Sequence, residues 1–468
     1  MVKSESPLQS HSISTNRRSD SGPQHLSRAA INRRLLTLAV PTFGQLIAEP
    51  AFILIDTAIV GHIGDSALAG LSVGSTIILT TVGLCVFLAY GTTSQVARLM
   101  GAGRRREGLE TGIDGLWLAL IIGIVVSVVI FFGSEPLCAA LGARGDVLAN
   151  AVIYVRALAF GLPGMLLVYA VNGIFRGLGR VKMTLIAAVV GAVINTILDV
   201  LFVFGLHWGI AGSGFATFIA QWCMALFLII PALKWAKDEG ARWSPRLSGI
   251  AHTAKSSVPL FIRTLALRSS MVATVMLATS MGTHVLASYQ VVNSNWNVVL
   301  NMLDAIGIAG QSMVATELGA QRRDNASTLA RASARFGMIG GLIIGIGMIV
   351  FGLFGSSLFS PTQQIQWLIT LGMIVQGIFL PLDGWMWALD GILIGAGDYR
   401  YLATTCSLVA IMYVPILALT SWAETTLGLS NSLRTVLLWT IINVAYIGGR
   451  AVFNGLRIRG DAWMEARA

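Results

Sequence analysis

Two aspartates lie in stretches that are otherwise almost entirely apolar. Asp56 interrupts EPAFILIDTAIVG, and Asp199 interrupts VINTILDVLFVFG. An ionised aspartate in the middle of a lipid bilayer costs roughly 2.5–3.5 kcal/mol, so such a side chain normally faces a cavity or a partner. If these stretches cross a membrane, both acids are candidates for binding a proton or a cation.

Further oxygen-bearing side chains accompany these acids. Asn195 lies four residues before Asp199, which places both on one face of a helix. A carboxylate and an amide one turn apart can bind Na⁺, or can hold a proton where burial disfavours the charged acid. Thr217 lies near the start of the apolar stretch at 211–236, which follows the one that carries Asp199. Tyr154 and Asn172 add polar groups to the stretch at 148–175, which precedes it. A single intramembrane Asn more often joins two helices, so the hypothesis rests on the group.

A second set of charged residues lies in the apolar stretches of the second half of the chain. Its acids are Asp304, Asp383 and Asp390, and for Asp390 a helix-end or packing role is the alternative to transport. Arg263, Arg268 and Asp383 are candidates for lining a substrate cavity, and we expect the Arg263 side chain to extend towards the cytoplasmic membrane surface. Arg268 lies deeper, and we expect it to face a cavity or to pair with an acid such as Asp383. A cavity lined by arginines would suit an anionic substrate.

The composition identifies a membrane protein. Of the 468 residues, 55% are hydrophobic and 12% are charged, about half the charged share of an average soluble domain. The net charge of +10 comes from basic residues between apolar blocks. That arrangement follows the positive-inside rule, so we expect a lipid bilayer and no nucleic acid as a partner.

Several functional classes lack their motifs here. The sequence has no GxxxxGK[ST], HExxH or TVGYG, which argues against nucleotide-powered transport, a metalloprotease and a K⁺ channel. The four cysteines show no CxxC spacing, so neither a disulfide framework nor a metal site is predicted.

Twelve apolar stretches are long enough to cross a bilayer as helices, which takes about 20 residues each. They are predicted at 33–60, 66–99, 112–133, 148–175, 182–206, 211–236, 253–281, 285–316, 332–357, 365–394, 400–421 and 430–456. Basic residues, among them Arg176, concentrate in every second connection. Both termini are therefore predicted to be cytoplasmic, in a multi-pass protein of an inner or plasma membrane.

The chain repeats itself at a constant offset of 218 residues. VARLMGAGRR (96–105) aligns with VATELGAQRR (314–323), and AVNGIFRGLG (170–179) aligns with ALDGILIGAG (388–397). Each half holds six spans, so the repeats share one orientation and an axis along the membrane normal relates them. The repeat partner of Asp56 is Thr274, so this acid belongs to one half only.

The repeat predicts an all-α polytopic fold of two pseudo-symmetric six-helix lobes around a central cavity. The predicted organisation is a disordered cytoplasmic tail over 1–30, an N-lobe over 31–235, a cytoplasmic linker over 236–252, a C-lobe over 253–457 and a C-terminal tail over 458–468. Two prolines, Pro41 and Pro50, lie in the span that carries Asp56 and permit kinks there. We expect them to act as hinges, with a static kink as the alternative.

The stretch AVPTFGQLIAEPAFILIDTAIVGHIGDSALAGLSV resembles the first span and loop of MATE (multidrug and toxic compound extrusion) transporters, above all their DinF-like branch. NTILDVLFVFG, GIAGSGFATFIAQ and RTLALRSSMVATVMLATSMG fit as well, and the resemblance covers about residues 30–457. It implies a cavity that opens alternately to either side, and cation coupling in the N-lobe. The family's residue types stand at Asp56, Tyr154, Asn172, Asn195, Asp199 and Thr217. Another branch couples through C-lobe acids, and the seventh span here has none.

These observations predict a secondary active antiporter and not an enzyme. We expect it to export a small organic substrate in exchange for H⁺ or Na⁺, as a monomer and with no cofactor besides the coupling ion. A flippase for lipid-linked substrates and an organic-anion transporter are alternatives on the same fold. A membrane-embedded enzyme is the alternative from another class. The sequence leaves the substrate and the choice of ion open.

Overall fold

The computed structural model describes residues 28–465, which are helical apart from short connections. Most of the predicted tail over 1–30 and the last three residues lie outside this range. The first half contains α1 (Arg28–Gly61), α2 (Asp65–Leu84), α3 (Phe87–Gly101), α4 (Arg105–Ala140), α5 (Gly145–Ala159), α6 (Leu162–Gly177), α7 (Val181–Val200) and α8 (Gly209–Asp238). The second half contains α9 (Leu247–Ser280), α10 (Thr283–Gly319), α11 (Arg323–Gly355), α12 (Gln363–Ala396), α13 (Tyr399–Leu427), α14 (Asn431–Ile441) and α15 (Gly448–Arg459).

The described helices account for the predicted membrane spans. Eleven helical segments are long and apolar enough to cross a membrane, and the count is twelve when α5 and α6 form one bent span. The predicted all-α polytopic fold is thereby confirmed. The helices α2 and α3 together form one segment, and π-helical turns at Leu201–Gly205 and Ile442–Ile447 prolong α7 and α14.

The fourth span, predicted over 148–175, consists of two helices with a bend between them. The axes of α5 and α6 meet at an angle of 50°. Pro163 occupies the first turn of α6, where a missing backbone N–H costs nothing. The bend turns α6 towards the interior, where it packs against α3, α4 and α8.

Large apolar side chains cover the outer surface of the bundle. Phe132 is 76% exposed, Ile343 65% and Phe354 81%. In water such a surface would be unfavourable, whereas in a bilayer it contacts acyl chains. The interior is consequently the place where polar groups need a specific explanation.

The connection between the halves is shorter than the linker predicted over 236–252, because α8 and α9 extend into it and leave only 239–246. It is fixed to α4 by ionic contacts. Arg246 Nη2 lies 2.8 Å from Asp114 Oδ2, and Arg246 Nη1 lies 3.3 Å from Glu110 Oε2. The hydrogen bond to Asp114 raises the pKa of the Arg246 guanidinium. The second half is thus held to α4 of the first.

The two halves approach each other very closely where α3 crosses α10. A Cβ atom added at Gly101 would lie 1.9 Å from the carbonyl oxygen of Thr316, and one at Gly319 would lie 1.9 Å from that of Arg98. Only glycine permits such an approach between two backbones. Gly101 and Gly319 are repeat partners, as are Arg98 and Thr316. The crossing therefore lies on the axis that relates the halves.

Candidate functional site

Three helices bring the predicted polar residues of the first half together. Asp56 lies in α1, Asn195 and Asp199 in α7, and Thr217 in α8. Asn195 Nδ2 donates to Thr217 Oγ1 at 3.3 Å, and the Thr217 hydroxyl donates to Asp56 Oδ2 at 3.3 Å. Since α7 packs against both α1 and α8, residues far apart in the chain share one cluster.

Asp199 completes this cluster beside Asp56. Its side chain is 0% exposed and that of Asp56 is 5% exposed. Neither carboxylate oxygen of Asp199, nor Oδ1 of Asp56, has a hydrogen-bond partner among the described residues. Two neighbouring buried carboxylates repel each other unless a proton or a cation removes part of their charge. The arrangement is therefore suited to binding one.

A chamber of about 150 Å³ adjoins the cluster. The predicted site residues that line it are Asp56, Tyr154, Asn172, Asn195 and Thr217. The ring of Tyr154 has room because α2 carries Gly74 opposite it, where a Cβ atom would lie 2.6 Å from the ring. Asn172 Oδ1 is buried without a partner among the described residues. The chamber is thus lined by Asp56 and Asn172, each of which has an oxygen atom without a partner among the described residues.

The other end of the chamber carries Asp304, one of the second-half acids named from the sequence, together with residues that the sequence did not single out as a site. Arg176 belongs to the basic residues of a predicted connection, yet its side chain is buried and lines the chamber with Gln45, Tyr90 and Asp304. Arg176 Nη2 donates to Gln45 Oε1 at 2.7 Å, and the Tyr90 hydroxyl donates to Asp304 Oδ2 at 2.8 Å. Arg176 follows Asn172 by one helical turn, and this spacing is the signal that could have identified it.

The equivalent cluster in the second half has no acid. Thr274, Tyr413 and Thr435 stand at the repeat positions of Asp56, Asn195 and Thr217. The hydroxyl groups of Thr274 and Tyr413 lie 2.9 Å apart and are buried. Two neutral hydroxyl groups can form a hydrogen bond with each other, and they carry no charge that a cation would have to neutralise.

The structure contradicts the expected pairing of Arg268 with Asp383. Asp383 Oδ2 accepts hydrogen bonds from Trp296 Nε1 at 3.0 Å and from Gln376 Nε2 at 2.9 Å. Arg268 is exposed, and its guanidinium lies against Gly83 of α2. Asp383 is therefore hydrogen-bonded by neutral donors on α10 and α12, and the predicted ion pair between Arg268 and Asp383 is wrong. Arg268 lies instead at the boundary between the two halves.

The expectation that Arg263 extends to the membrane surface is also wrong. Arg263 is buried and its Nη2 lies 2.5 Å from Asp390 Oδ2. Arg450 bonds the same oxygen of Asp390, and Asn454 Nδ2 donates to Oδ1 at 2.6 Å. Pairing with Asp390 offsets the cost of burying the guanidinium, so the side chain has no need to reach water.

The prolines proposed as hinges lie inside a single helix. α1 runs from Arg28 to Gly61 through Pro41 and Pro50. Each proline leaves one carbonyl of the preceding turn without its helical donor, which weakens the helix at that point. Their role as hinges stays a prediction.

The described part of the chain contains no group of three or more His, Cys, Asp or Glu side chains that could hold a metal ion. The cluster around Asp56 has two carboxylates, one amide and one hydroxyl group. Oxygen ligands of this kind suit a hard monovalent cation or a proton better than a transition metal.

The spans, the internal repeat and the buried polar chamber together define a polytopic membrane transporter. The family model MatE matches residues 41–201 and 259–420, one segment in each half. The chain belongs to the MATE family, whose members are efflux transporters of drugs and toxic compounds and not enzymes.

Known relatives cover most of the chain. Protein DETOXIFICATION 43 of Arabidopsis thaliana is 28% identical over 458 residues, covering 85% of this chain and 86% of that protein. DNA damage-inducible protein F of Escherichia coli is 25% identical over 400 residues, covering 84% and 86%. The crystal structure of the Vibrio cholerae MATE transporter VcmN in the bent form superposes with a TM-score of 0.81 at 21% identity, covering 93% of this chain and 99% of that one.

Proposed function

We propose that this protein is a secondary active antiporter that exports a small organic compound in exchange for H⁺ or Na⁺. The cation binds to the cluster of Asp56, Asn195, Asp199 and Thr217. Tyr154 and Asn172 line the chamber beside it, where the exported compound is held. The protein acts in an inner or plasma membrane with both termini in the cytoplasm, as the distribution of basic residues indicates.

The contact between two buried carboxyl groups is the observation that carries this proposal. Asp56 and Asp199 stand on different helices, α1 and α7, and neither has an arginine or lysine partner among the described residues. Loading with a proton or Na⁺ removes the repulsion between them and favours close packing of the two helices. Unloading favours their separation, so the occupancy of the cluster and the arrangement of α1 depend on each other.

Coupling requires that the cation and the exported compound prefer different states of the protein, since equal affinity for both states shifts nothing. Hydrogen bonds across the two halves support a state that is closed near the crossing of α3 and α10. Gln311 Nε2 donates to the carbonyl of Tyr90 at 2.7 Å, and the Ser312 hydroxyl donates to the carbonyl of Arg176 at 2.8 Å. By the charge distribution this closed side is the cytoplasmic one. Bending of α1 at Pro41 and Pro50 contributes to opening it.

Transport by purified protein in proteoliposomes tests the proposal. Ethidium and taurocholate serve as cationic and anionic probes, and pH and Na⁺ gradients are imposed separately. We expect one of the gradients to drive accumulation of a probe, and Asp56→Asn to reduce this accumulation at least about tenfold. The matched control is Asp65→Asn, which changes an exposed acid at the start of α2 and should transport normally.

Two results would contradict the proposal. Undiminished transport by Asp56→Asn would exclude the cluster as the coupling site. Equilibration of the probes without accumulation, whatever gradient is imposed, would exclude antiport.

Organic-anion export is the second candidate on the same fold. It is favoured by Arg176 in the chamber and by the exposed Arg268 at the boundary between the halves. Accumulation of taurocholate with no accumulation of ethidium would decide for it.

A further inference from the structure

Arg176 is a buried guanidinium that forms no ion pair with a described residue. Its side chain is 4% exposed, and it is the basic residue among the described residues that line the chamber. Nη2 donates to the neutral amide of Gln45, whereas Nε has no hydrogen-bond partner among the described residues. A guanidinium carries five N–H donors, and a buried charge normally requires a counter-charge. Arg176 therefore has the capacity to bind a further acceptor.

Arg263 and Arg450 are buried as well, and their Nε atoms also lack a hydrogen-bond partner among the described residues, but each has a counter-charge. Arg263 and Arg450 both bond the Asp390 carboxylate. The acid nearest to Arg176 in the chamber is Asp304, which accepts the hydroxyl of Tyr90 and is acted on by the charges of both Arg176 and Arg263. Its negative charge is thus shared between two cations, and no ion pair joins it directly to Arg176. Arg176 Nε is buried without a hydrogen-bond partner among the described residues, so an acceptor that entered this end of the chamber would satisfy it.

The shape of the chamber separates this guanidinium from the cation cluster. Gln45 and Asp56 line it from the same helix and are eleven residues apart, which corresponds to about 16 Å along α1. The side chains between the two ends are mostly apolar and include Ile78, Leu79, Val82, Met165 and Val168. The chamber is a slot with a carboxylate cluster at one end, an apolar middle and a guanidinium at the other.

We propose that Arg176 is the recognition site for a carboxylate group of the exported compound, whose apolar body lies along the middle of the chamber. This inference rests on the proposed antiport function and specifies its substrate class as an amphipathic monocarboxylate. A carboxylate accepts two parallel N–H bonds from a guanidinium, and Arg176 Nε with a terminal nitrogen supplies such a pair. The far end of the slot remains free for the coupling cation, so both ligands fit the same half of the protein.

Equilibrium binding to the purified full-length protein tests the inference with a matched pair of probes. 4-Phenylbutyrate carries a carboxylate, and 4-phenylbutyramide has the same body and a neutral amide. We expect the wild type to bind the carboxylate about tenfold more tightly than the amide. Arg176→Gln should remove this preference and leave the affinity for the amide unchanged. Arg176→Lys, which keeps the charge, should retain part of it and guards against a folding defect of the Gln variant.

The control is Arg180→Gln, since the Arg180 guanidinium is outside the chamber and lies 4.1 Å from the ring centre of Trp235. It should change the affinity for neither probe. Equal affinity of the wild type for the two probes, or no binding of either, overturns the inference. Equal weakening of both probes by Arg176→Gln also overturns it and assigns Arg176 a structural role. Because no gradient is imposed, these outcomes are independent of whether an ion gradient drives transport.

Discussion

The buried acids of this protein differ in their partners, and the partners distinguish structural roles from binding roles. Asp390 is neutralised by Arg263 and Arg450, and Asp383 accepts hydrogen bonds from two neutral donors. Asp199 has no counter-charge and no close hydrogen bond to either carboxylate oxygen among the described residues, and its polar neighbours are Asp56, Asn195 and Ser213. Burial of an acid without partners only lowers the stability of the fold. Asp199 is therefore the acid whose presence most needs a ligand to explain it.

Replacing Asp199 by Asn should separate stability from function. We expect the thermal unfolding midpoint of the purified protein to stay the same or to rise by a few degrees, because the amide removes the repulsion with Asp56. Gradient-driven transport should fall at least about tenfold. Intrinsic tryptophan fluorescence on heating and the proteoliposome assay measure the two quantities. A midpoint lowered by more than about 5 °C would indicate that Asp199 is needed for folding.

Replacing Asp390 by Asn should have the opposite effect on stability. The substitution leaves Arg263 and Arg450 buried without their shared counter-charge, which should lower the free energy of unfolding by on the order of 3–5 kcal/mol. The control is Glu107→Gln, which breaks an exposed ion pair with Arg104 and should cost far less stability, because solvent screens that pair. Unfolding by SDS in mixed micelles gives both values. Similar values for the two variants would rule out a structural role for the Asp390 cluster.

At the scale of helices, the sequence predicted what depends on local composition and missed what depends on packing. Apolar length and the repeat predicted the twelve spans, because both are properties of the chain itself. The 50° bend between α5 and α6 was missed, since hydropathy does not report the direction of a helix. The helices also continue past the apolar residues; α4 begins at Arg105, seven residues before the predicted 112. The burial of Arg176 depends on contacts of α6 with α3 and α8, and the only local sign of it is the position of Arg176 one helical turn after Asn172.

The crossing of α3 and α10 makes a prediction about opening and closing. Gly101→Leu should prevent the close approach to Thr316 and hold this side of the molecule open. In a variant without native cysteines, a cysteine at position 312 should then react faster with a membrane-impermeant maleimide, and transport should fall about tenfold. Gly347→Leu is the matched control, because a Cβ atom at Gly347 meets nothing within 4 Å. Equal maleimide reactivity in the Gly101→Leu protein and its parent would exclude a gate at this crossing.

The whole molecule combines a symmetric scaffold with an asymmetric site. Gly101 and Gly319, at the crossing of α3 and α10, are repeat partners. The contact between α1 and α7 also follows the repeat, because it recurs as the contact between α9 and α13. The residues of the cation cluster do not follow the repeat, because Thr274 and Tyr413 occupy the positions in the second half that correspond to Asp56 and Asn195. A symmetric scaffold allows the halves to move against each other about the axis, whereas a single acidic cluster restricts cation binding to one half. The asymmetry predicts one cation site per molecule.

Thr274→Val tests this asymmetry directly. The substitution removes the hydrogen bond to Tyr413 and should cost about 1 kcal/mol of stability. Gradient-driven transport should stay within about twofold of the wild type, in contrast to the loss expected for Asp56→Asn at the matching position of the first half. Tyr413→Phe removes the same hydrogen bond from the other side and should behave alike. Loss of transport in both variants at an unchanged unfolding midpoint would mean that the second half also binds a coupling ion. Retained transport in both variants would assign the coupling to the first half. There Asp56 and Asp199 lack counter-charges, so a bound cation neutralises charge that no protein group neutralises.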